Sequence, residues 1–287
     1  DWSAFRPGAP PGGWAFQYNN AYYPDVDDTA VVGMLLHRNG DPAYRDAIER
    51  ARDWIIGMQS ANGGWGAFDA DNTYYYLNHI PFADHGALLD PPTADVTARC
   101  VSFLAQIGVP PGDPVLARAI AYLRREQEPY GAWFGRWGTN YIYGTWSVLC
   151  ALNAAGVPAT DPAVRRAIGW LVSVQREDGG WGEDEETYRQ APPGQYKAST
   201  ASQTAWALLG LMAAAERDHP ALARGITYLL GTQGADGEWT ELPYTAVGFP
   251  RVFYLRYHGY RLFFPLLALA RYRNLGRGAT HRVRYGF

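Results

Sequence analysis

The strongest constraint on the fold is a motif that occurs four times with constant spacing. In each copy a Gln is followed four residues later by Gly and six residues later by Trp. The copies are Gln59–Trp65, Gln127–Trp133, Gln175–Trp181 and Gln233–Trp239. A basic residue and an aromatic residue precede each Gln, and the basic residues are Arg52, Arg118, Arg166 and Arg224. Copies this far apart indicate a repeat architecture, in which each unit packs on its neighbours.

Each motif follows a segment with the periodicity of an amphipathic helix, for example Pro114–Gln127 and Pro162–Gln175. Asp-Pro pairs at 41–42, 113–114 and 161–162 suit an N-cap followed by the first helical position. Gly108 and Gly156 suit helix C-caps. A second, more apolar set of helices is predicted at about 27–37, 95–107, 142–155, 200–215 and 259–272.

Amphipathic helices that alternate with apolar helices predict an outer and an inner layer. We therefore expect an all-α fold, an α/α toroid that forms a single domain over residues 1–287. Five inner and four outer helices are fewer than a closed ring of six pairs needs. The missing helices are expected to come from elsewhere in the intact protein; otherwise the ring stays open.

Charge and cysteine content narrow the class of protein. Lys plus Arg is 25 and Asp plus Glu is 28, and a net charge of −3 argues against a nucleic-acid partner. Cys100 and Cys150 both lie in apolar helical stretches and predict core thiols in a reducing compartment. No run of about eighteen apolar residues predicts a membrane-spanning helix.

The connections from outer to inner helices are long, at about 62–93, 128–141, 176–199 and 234–258. They all fall at one end of the predicted toroid, and long loops on a rigid scaffold commonly carry function. These loops are rich in aromatic side chains: Phe68, Phe82, Trp133, Phe134, Trp137, Tyr141, Phe249, Phe253 and Tyr257.

Three carboxylates, Asp25, Asp27 and Asp28, stand within four residues at the start of the first inner helix. One interpretation is simple capping of the helix N-terminus. The other is catalytic, because like charges this close raise a pKa and a neutral carboxylic acid can donate a proton. Aromatic rings would then stabilise the cation that forms.

The segment 78–99 adds further ionisable residues at the same end. Asp95 and Arg99 are one helical turn apart, so Arg99 either forms an intrahelical ion pair or supports the acidic cluster. His79 and His85 have no accompanying Cys or HExxH spacing, so no metal site is expected.

The stretch DVDDTA at 25–30, together with the four Gln…Gly-x-Trp copies, resembles the squalene–hopene cyclases, a branch of the class II terpene cyclases. Further stretches fit at 12–24, 64–73, 134–146 and 248–257. The resemblance covers the whole chain and the C-terminal half of a typical member. It implies two α/α barrels around an apolar cavity, no metal or organic cofactor, and peripheral attachment to the cytoplasmic side of a bacterial membrane.

The resemblance also implies roles for individual residues. Asp27 would protonate a terminal alkene of squalene or a similar linear polyprene, leading to hopene or hopanol. Asp25 and Asp28 would position it, and Arg99, where some members carry His, would raise its acidity. The substrate-facing residues would be Phe16, Phe249 and Phe253 as cation-stabilising rings, with Phe68, Phe82, His85, Trp137 and Tyr257 around the cavity.

Two other functions fit a helical toroid. One is a zinc-dependent β-subunit of a protein prenyltransferase, and the other is a toroid that binds a partner without catalysis. If the cyclase interpretation holds, we expect the chain alone to be weakly active or inactive. Activity would need the N-terminal half, in the same chain or as a separate one.

Overall fold

The computed structural model describes residues 2–81, 88–189, 198–214 and 218–286, and α-helices make up most of its regular structure. The helices are α1 Trp2–Phe5, α2 Val26–Asn39, α3 Arg45–Gly57, α4 Ala94–Gln106, α5 Pro114–Arg125, α6 Tyr141–Ala154, α7 Pro162–Ser173, α8 Ala201–Ala214, α9 Pro220–Thr232 and α10 Tyr260–Leu275. Short 3₁₀ turns span Pro42–Tyr44, Tyr75–His79 and Glu185–Tyr188.

Two small antiparallel hairpins complete the regular structure. Strand β1, Trp14–Ala15, pairs with β2, Pro24–Asp25, immediately before α2. Strand β3, Ala246–Phe249, pairs with β4, Phe253–Leu255, with an irregular register between Val247 and Phe249.

Local chemistry sets the helix ends. The side chains of Asp113 and Asp161 each accept a backbone N–H at 2.8 Å in the first turn of α5 and α7, as predicted. Asp41 caps in the same way, but it opens the 3₁₀ turn, and α3 begins three residues after Pro42. Gly108 and Gly156 adopt positive φ angles of 96° and 81°, which confirms their prediction as C-caps.

The predicted layers are present. Every residue of α8 is buried, whereas α5 buries one stripe that includes Leu116, Ile120 and Leu123. Helices α4 and α8 are therefore inner helices, and α5 is an outer helix of amphipathic type.

Each of the first three motifs ties its own helix to the next outer helix. The Gln127 amide donates to the carbonyls of Gly131 and Ala163, both at 2.8 Å, and Arg166 donates to its oxygen. Equivalent bonds join Gln59 to Gly63, Val115 and Arg118, and Gln175 to Gly179, Ala221 and Arg224. Because the Gln side chain makes these bonds from the turn, the motif Gln lies just beyond the helix. Helices α5 and α7 therefore end at Arg125 and Ser173, two residues before the predicted ends at Gln127 and Gln175.

The Trp of the motif is buried and links the turn back to the preceding helix by a hydrogen bond. The indole N–H groups of Trp65, Trp181 and Trp239 donate to carbonyls ten residues earlier, at 2.7–2.8 Å. All three rings are buried. The first and third motifs thus combine Gln hydrogen bonds to the next outer helix with a buried Trp ring that is hydrogen-bonded within its own repeat.

The structure corrects the first motif and adds a degenerate copy. Arg118, Arg166 and Arg224 stand nine residues before their Gln, a position that Arg50 occupies in the first copy. The prediction of Arg52 as the basic residue of this copy is wrong, since Arg52 pairs with Asp53 at 2.8 Å. Gly12 and Trp14 form a further copy, in which Gly8 replaces the Gln.

The residues group into two compact units. Unit 1 comprises 1–126, 154–156 and 283–287, and unit 2 comprises 127–153 and 157–282. A single domain over residues 1–287 stays a prediction. Within the described ranges, no helix has the length and apolarity needed to cross a membrane.

Candidate active site

The acidic cluster of unit 1 sits where β2 turns into α2. The backbone N–H of Val26 donates to Ala67 at 2.7 Å, and Trp14 pairs with Asp25 across β1 and β2. The Thr29 hydroxyl donates to the Asp25 carbonyl at 2.6 Å and accepts the Trp14 N–H at 2.7 Å. The first turn of α2 is therefore held from two sides.

Asp25 is the N-cap of α2. Its Oδ1 accepts the Asp28 N–H at 2.9 Å, so the capping interpretation is correct for this residue. The residue is 7% exposed. Burial, followed by the neighbouring charge of Asp27, raises the pKa of Asp25 to about 8, against the lowering effect of the Asp28 N–H.

Asp27 faces Arg99 of α4. Its Oδ1 lies 3.4 Å from the Arg99 Nε and accepts no hydrogen bond from the described residues. Burial raises the pKa of Asp27 to about 6, while Arg99 lowers it and the charges of Asp95 and Asp28 raise it further. Burial also raises the pKa of Asp28. Desolvation is thus a larger cause than the like-charge repulsion that the sequence suggested.

The two charged residues of α4 are both buried, with Asp95 at 2% and Arg99 at 9% exposure. They lie in a helix whose residues from Ala94 to Leu104 are all buried. Arg99 reaches across to Asp27, the arrangement expected if it supports the acidic cluster. An arginine remains charged at any relevant pH, so it favours the carboxylate form of Asp27 throughout.

In unit 2, the β3–β4 hairpin presents a pair of aromatic rings. The Phe249 and Phe253 centroids are 5.3 Å apart at an interplanar angle of 71°, an edge-to-face contact. A Cβ at Gly248 would collide with the Phe253 ring, so this position requires glycine. Phe253 and Tyr257 are 43% and 42% exposed.

Trp137 belongs to the same group. Its carbonyl accepts the Val247 N–H at 3.2 Å, which joins the 134–140 loop to β3. The Arg136 guanidinium stands 4.7 Å from the Trp137 ring and 5.8 Å from the Phe249 ring. Trp137, Phe249 and Phe253 are therefore brought together in unit 2.

The other predicted substrate residues are distributed differently. Phe68 is half-buried in unit 1, where its N–H donates to Asp90 at 2.6 Å. Phe16, also in unit 1, is 60% exposed. Phe82 and His85 lie outside the described residues.

A buried hydrogen-bond network holds residues 139–142, next to the Trp137 loop, and was not predicted from the sequence. Glu183 is 4% exposed, and its Oε2 accepts the N–H groups of Asn140 and Ile142, both at 2.9 Å, where α6 begins. Burial raises its pKa to about 7. Gln203 donates to the carbonyls of Thr139 at 2.9 Å and Glu183 at 3.0 Å. The 139–142 backbone is thereby fixed.

A sequence signal for this network exists. Glu183 stands two residues after the motif Trp181, and Glu241 stands two residues after Trp239. Glu241 likewise caps an inner helix, because it accepts the Ser202 N–H at 2.8 Å.

The described residues contain no group of three or more His, Cys, Asp and Glu side chains arranged to hold a metal ion. Cys100 and Cys150 are buried, as predicted, and form no disulfide among the described residues. Burial raises the pKa of the Cys100 thiol well above its usual value.

Comparison with known protein families gives one family for nearly the whole chain. The model of the squalene-hopene cyclase C-terminal domain matches residues 1–274. A squalene-hopene cyclase of Schizosaccharomyces japonicus is 66% identical over 100% of this chain and 44% of its own length. One from Bradyrhizobium diazoefficiens is 64% identical over 99% of the chain and 44% of its own length. The chain therefore spans less than half of these curated relatives.

Solved structures confirm the fold class. The type II terpene cyclase MstE from Scytonema superposes with a TM-score of 0.64 at 20% identity, covering 96% of this chain and 80% of its own. The ent-copalyl diphosphate synthase from Streptomyces platensis gives a TM-score of 0.57 at 21% identity, over 89% of this chain and 42% of its own. At these identities the likeness concerns the fold alone.

Proposed function

The chain belongs to the squalene-hopene cyclase C-terminal domain family, and we propose that it is the catalytic half of a triterpene cyclase. The reaction would be the acid-initiated cyclisation of squalene, or of a similar linear polyprene, to hopene or hopanol. The observation that carries this proposal is the half-buried Asp27 carboxyl, with its pKa raised to about 6, beside the Arg99 guanidinium at 3.4 Å. A fold neighbour, MstE, has been crystallised with the substrate geranylgeranyl dihydroxybenzoate, which also carries a polyprene chain.

The proposed first step is proton transfer from the Asp27 carboxyl to the terminal double bond. The alkene π electrons form a new C–H bond, the O–H bond breaks, and a tertiary cation and the Asp27 carboxylate result. Arg99 stabilises that carboxylate by Coulomb attraction, so the acid is stronger than burial alone would leave it. The cascade ends by proton loss to give hopene, or by addition of water to give hopanol.

Asp25 and Asp28 act in this proposal as positioning residues. Asp25 caps α2, and with a pKa of about 8 it is mostly neutral at pH 7, so it adds little negative charge beside Asp27. A less negative surrounding keeps Asp27 acidic enough to donate its proton.

Aromatic rings stabilise the travelling cation through their electron-rich faces. Phe249 and Phe253 supply two such rings in contact, and Trp137 lies beside them. Tyr257, also in unit 2, is assigned to the same reaction, and Phe16 and Phe68 of unit 1 are proposed substrate contacts on the resemblance alone. Phe82 and His85 are proposed substrate contacts on the resemblance alone.

We propose that activity requires the rest of the protein, because the chain spans 44% of its relatives and cations are quenched by water. The whole protein would need no metal or organic cofactor, since the side-chain acid itself starts the reaction. It would attach peripherally to the cytoplasmic side of the membrane, where an apolar polyprene partitions.

The test is product analysis. The full-length protein is incubated with squalene in detergent micelles containing a chelator, and products are identified by gas chromatography and mass spectrometry. Hopene and hopanol are expected. Full-length protein that returns unchanged squalene would overturn the proposal, and loss of activity on chelation would favour metal chemistry.

The same assay with residues 1–287 alone tests the need for the other half. We expect little or no product. A rate equal to that of the full-length protein would show that the catalytic half is sufficient.

A further inference from the structure

The Glu183 side chain acts on one short segment of backbone in unit 2. Its Oε2 accepts the N–H groups of Asn140 and Ile142, both at 2.9 Å, where α6 begins. Its Oε1 is buried and accepts no hydrogen bond from the described residues. Burial of a carboxyl costs free energy through desolvation, and an apolar side chain would fill the space without that cost. The specific contribution of Glu183 is therefore the backbone that it holds.

The held backbone is continuous with the β3–β4 hairpin. The N–H of Thr139 donates to the Thr245 carbonyl at 2.9 Å, and the N–H of Val247 donates to the Trp137 carbonyl at 3.2 Å. An isolated antiparallel bridge lies between these two bonds. The location of β3 thus depends on the segment that Glu183 fixes.

Two of the aromatic rings assigned to the cation are carried by these two pieces of backbone. Trp137 belongs to the segment itself, and Phe249 is the last residue of β3. The Arg136 guanidinium lies 4.7 Å from the Trp137 ring and 5.8 Å from the Phe249 ring, so both rings adjoin one side chain of the segment. A displacement of the segment moves Trp137 directly and Phe249 through β3.

The segment has little room to adapt in place. A Cβ at Gly135 would collide with the Asn140 carbonyl, and a Cβ at Gly138 would collide with the Tyr143 ring. The Tyr188 hydroxyl donates to the Gly135 carbonyl at 2.6 Å. Close-packed groups transmit a displacement instead of absorbing it. Loss of the Glu183 bonds is therefore expected to shift residues 135–142 together.

We infer that Glu183 is a positioning residue for the cyclisation, because it sets the location of the Trp137 and Phe249 rings through the backbone of residues 137–142. This inference rests on the proposed function, since it gives Glu183 a role in that same reaction. An aromatic face stabilises a cation only at close range. When a ring is displaced, an intermediate cation loses a proton to water, and the electron pair of the broken C–H bond forms a double bond before the last ring closes.

Product analysis of full-length variants tests this inference. Glu183→Leu removes the acceptor of both N–H groups. We expect the cyclisation rate to fall about tenfold, and products with fewer rings than the main wild-type product to increase several-fold. Glu183→Gln keeps an oxygen that accepts both N–H groups, so it should restore the wild-type product pattern. If Glu183→Leu does not fold, Glu183→Asp, which retracts the carboxyl by one methylene, should shift the products in the same direction.

Glu241→Leu is the matched control. Glu241 also stands two residues after a motif Trp, and it caps α8 by accepting the Ser202 N–H at 2.8 Å and the Ser202 hydroxyl at 2.7 Å. None of its described hydrogen bonds goes to residues 135–142. Glu241→Leu should therefore lower the melting midpoint without changing the product pattern. An equal product shift in Glu241→Leu and Glu183→Leu would overturn the inference, because it would reflect general destabilisation.

Hydrogen–deuterium exchange of the same full-length proteins gives a measurement that needs no activity. Amides of 137–142 and 245–249 should exchange about tenfold faster in Glu183→Leu than in the wild type, and at the wild-type rate in Glu241→Leu. Unchanged exchange in these segments, or an unchanged product pattern in folded Glu183→Leu or Glu183→Asp, would overturn the inference. A wild-type protein that leaves squalene unchanged would instead contradict the proposed function, while the exchange rates still report whether Glu183 holds this backbone.

Discussion

Replacement of Arg99 by Gln removes the cation that faces Asp27 while retaining a polar side chain of similar reach. At the observed 3.4 Å, two unit charges in a medium of effective dielectric constant ~20 attract by about 5 kcal/mol. The Asp27 side chain is 27% exposed, so solvent screens part of this attraction. We expect the pKa of Asp27 to rise by about two units, which corresponds to nearly 3 kcal/mol.

The sign of the effect on catalysis follows from the need for a protonated Asp27. The wild-type rate should fall as the pH rises through about 6, the pKa of Asp27. In Arg99→Gln this limb moves to higher pH by about two units, because the acid holds its proton more tightly. The plateau rate at low pH falls about tenfold if half of the lost acidity is expressed in the transition state.

The assay is the initial rate of cyclisation by the full-length protein, followed by gas chromatography over a range of pH. Arg99→Lys retains the charge and should shift the limb less than Arg99→Gln. KM should change little, since the polyprene is apolar. A uniform loss of rate with the limb unmoved would refute the reasoning, because it would mean that Arg99 only supports the fold.

Three further outcomes follow from the packing. Gln175→Leu removes the hydrogen bond from Arg224 and two bonds to carbonyls, and should lower the unfolding free energy by about 2–3 kcal/mol in denaturant titration; no loss would contradict the role of the motif. Gly248→Ala forces the Phe253 ring to move and should cost about 1–3 kcal/mol in the same assay, whereas an unchanged midpoint would show that the hairpin adapts freely. The pKa of Glu183 is raised from 4.5 to about 7, so the folded state binds this proton more tightly and the wild type loses stability as pH rises across that range. Glu183→Gln should lack this decline, worth about 3 kcal/mol, and an equal slope in both proteins would contradict the assignment.

The helical framework was predictable because its signals are local. Asp113 and Asp161, each before a Pro, cap their helices through bonds to residues only two positions away. The Gln-to-Trp spacing likewise encodes a local turn, in which the side-chain amide of Gln127 donates to the carbonyl of Gly131, four residues later, as in the equivalent motifs. Such features depend only on residues that are close together in the sequence.

The site was predictable only in part. Asp25 and Asp27 are two residues apart and look equivalent in sequence. Asp25 nevertheless caps α2, whereas Asp27 faces Arg99, which belongs to the distant helix α4. Glu183 acts on backbone more than forty residues earlier, which no local pattern requires. The degenerate motif at Gly12 was missed because its Gln is replaced by Gly8.

The most direct test of the central claim is cyclisation in D₂O by the full-length protein and its Asp27→Asn variant. If Asp27 donates the initiating proton, the wild-type product carries solvent deuterium at the carbon that was protonated first. The folded Asp27→Asn variant, verified by its melting midpoint, should form no product above a blank without protein. Labelled hopene from Asp27→Asn at a rate near that of the wild type would contradict the account.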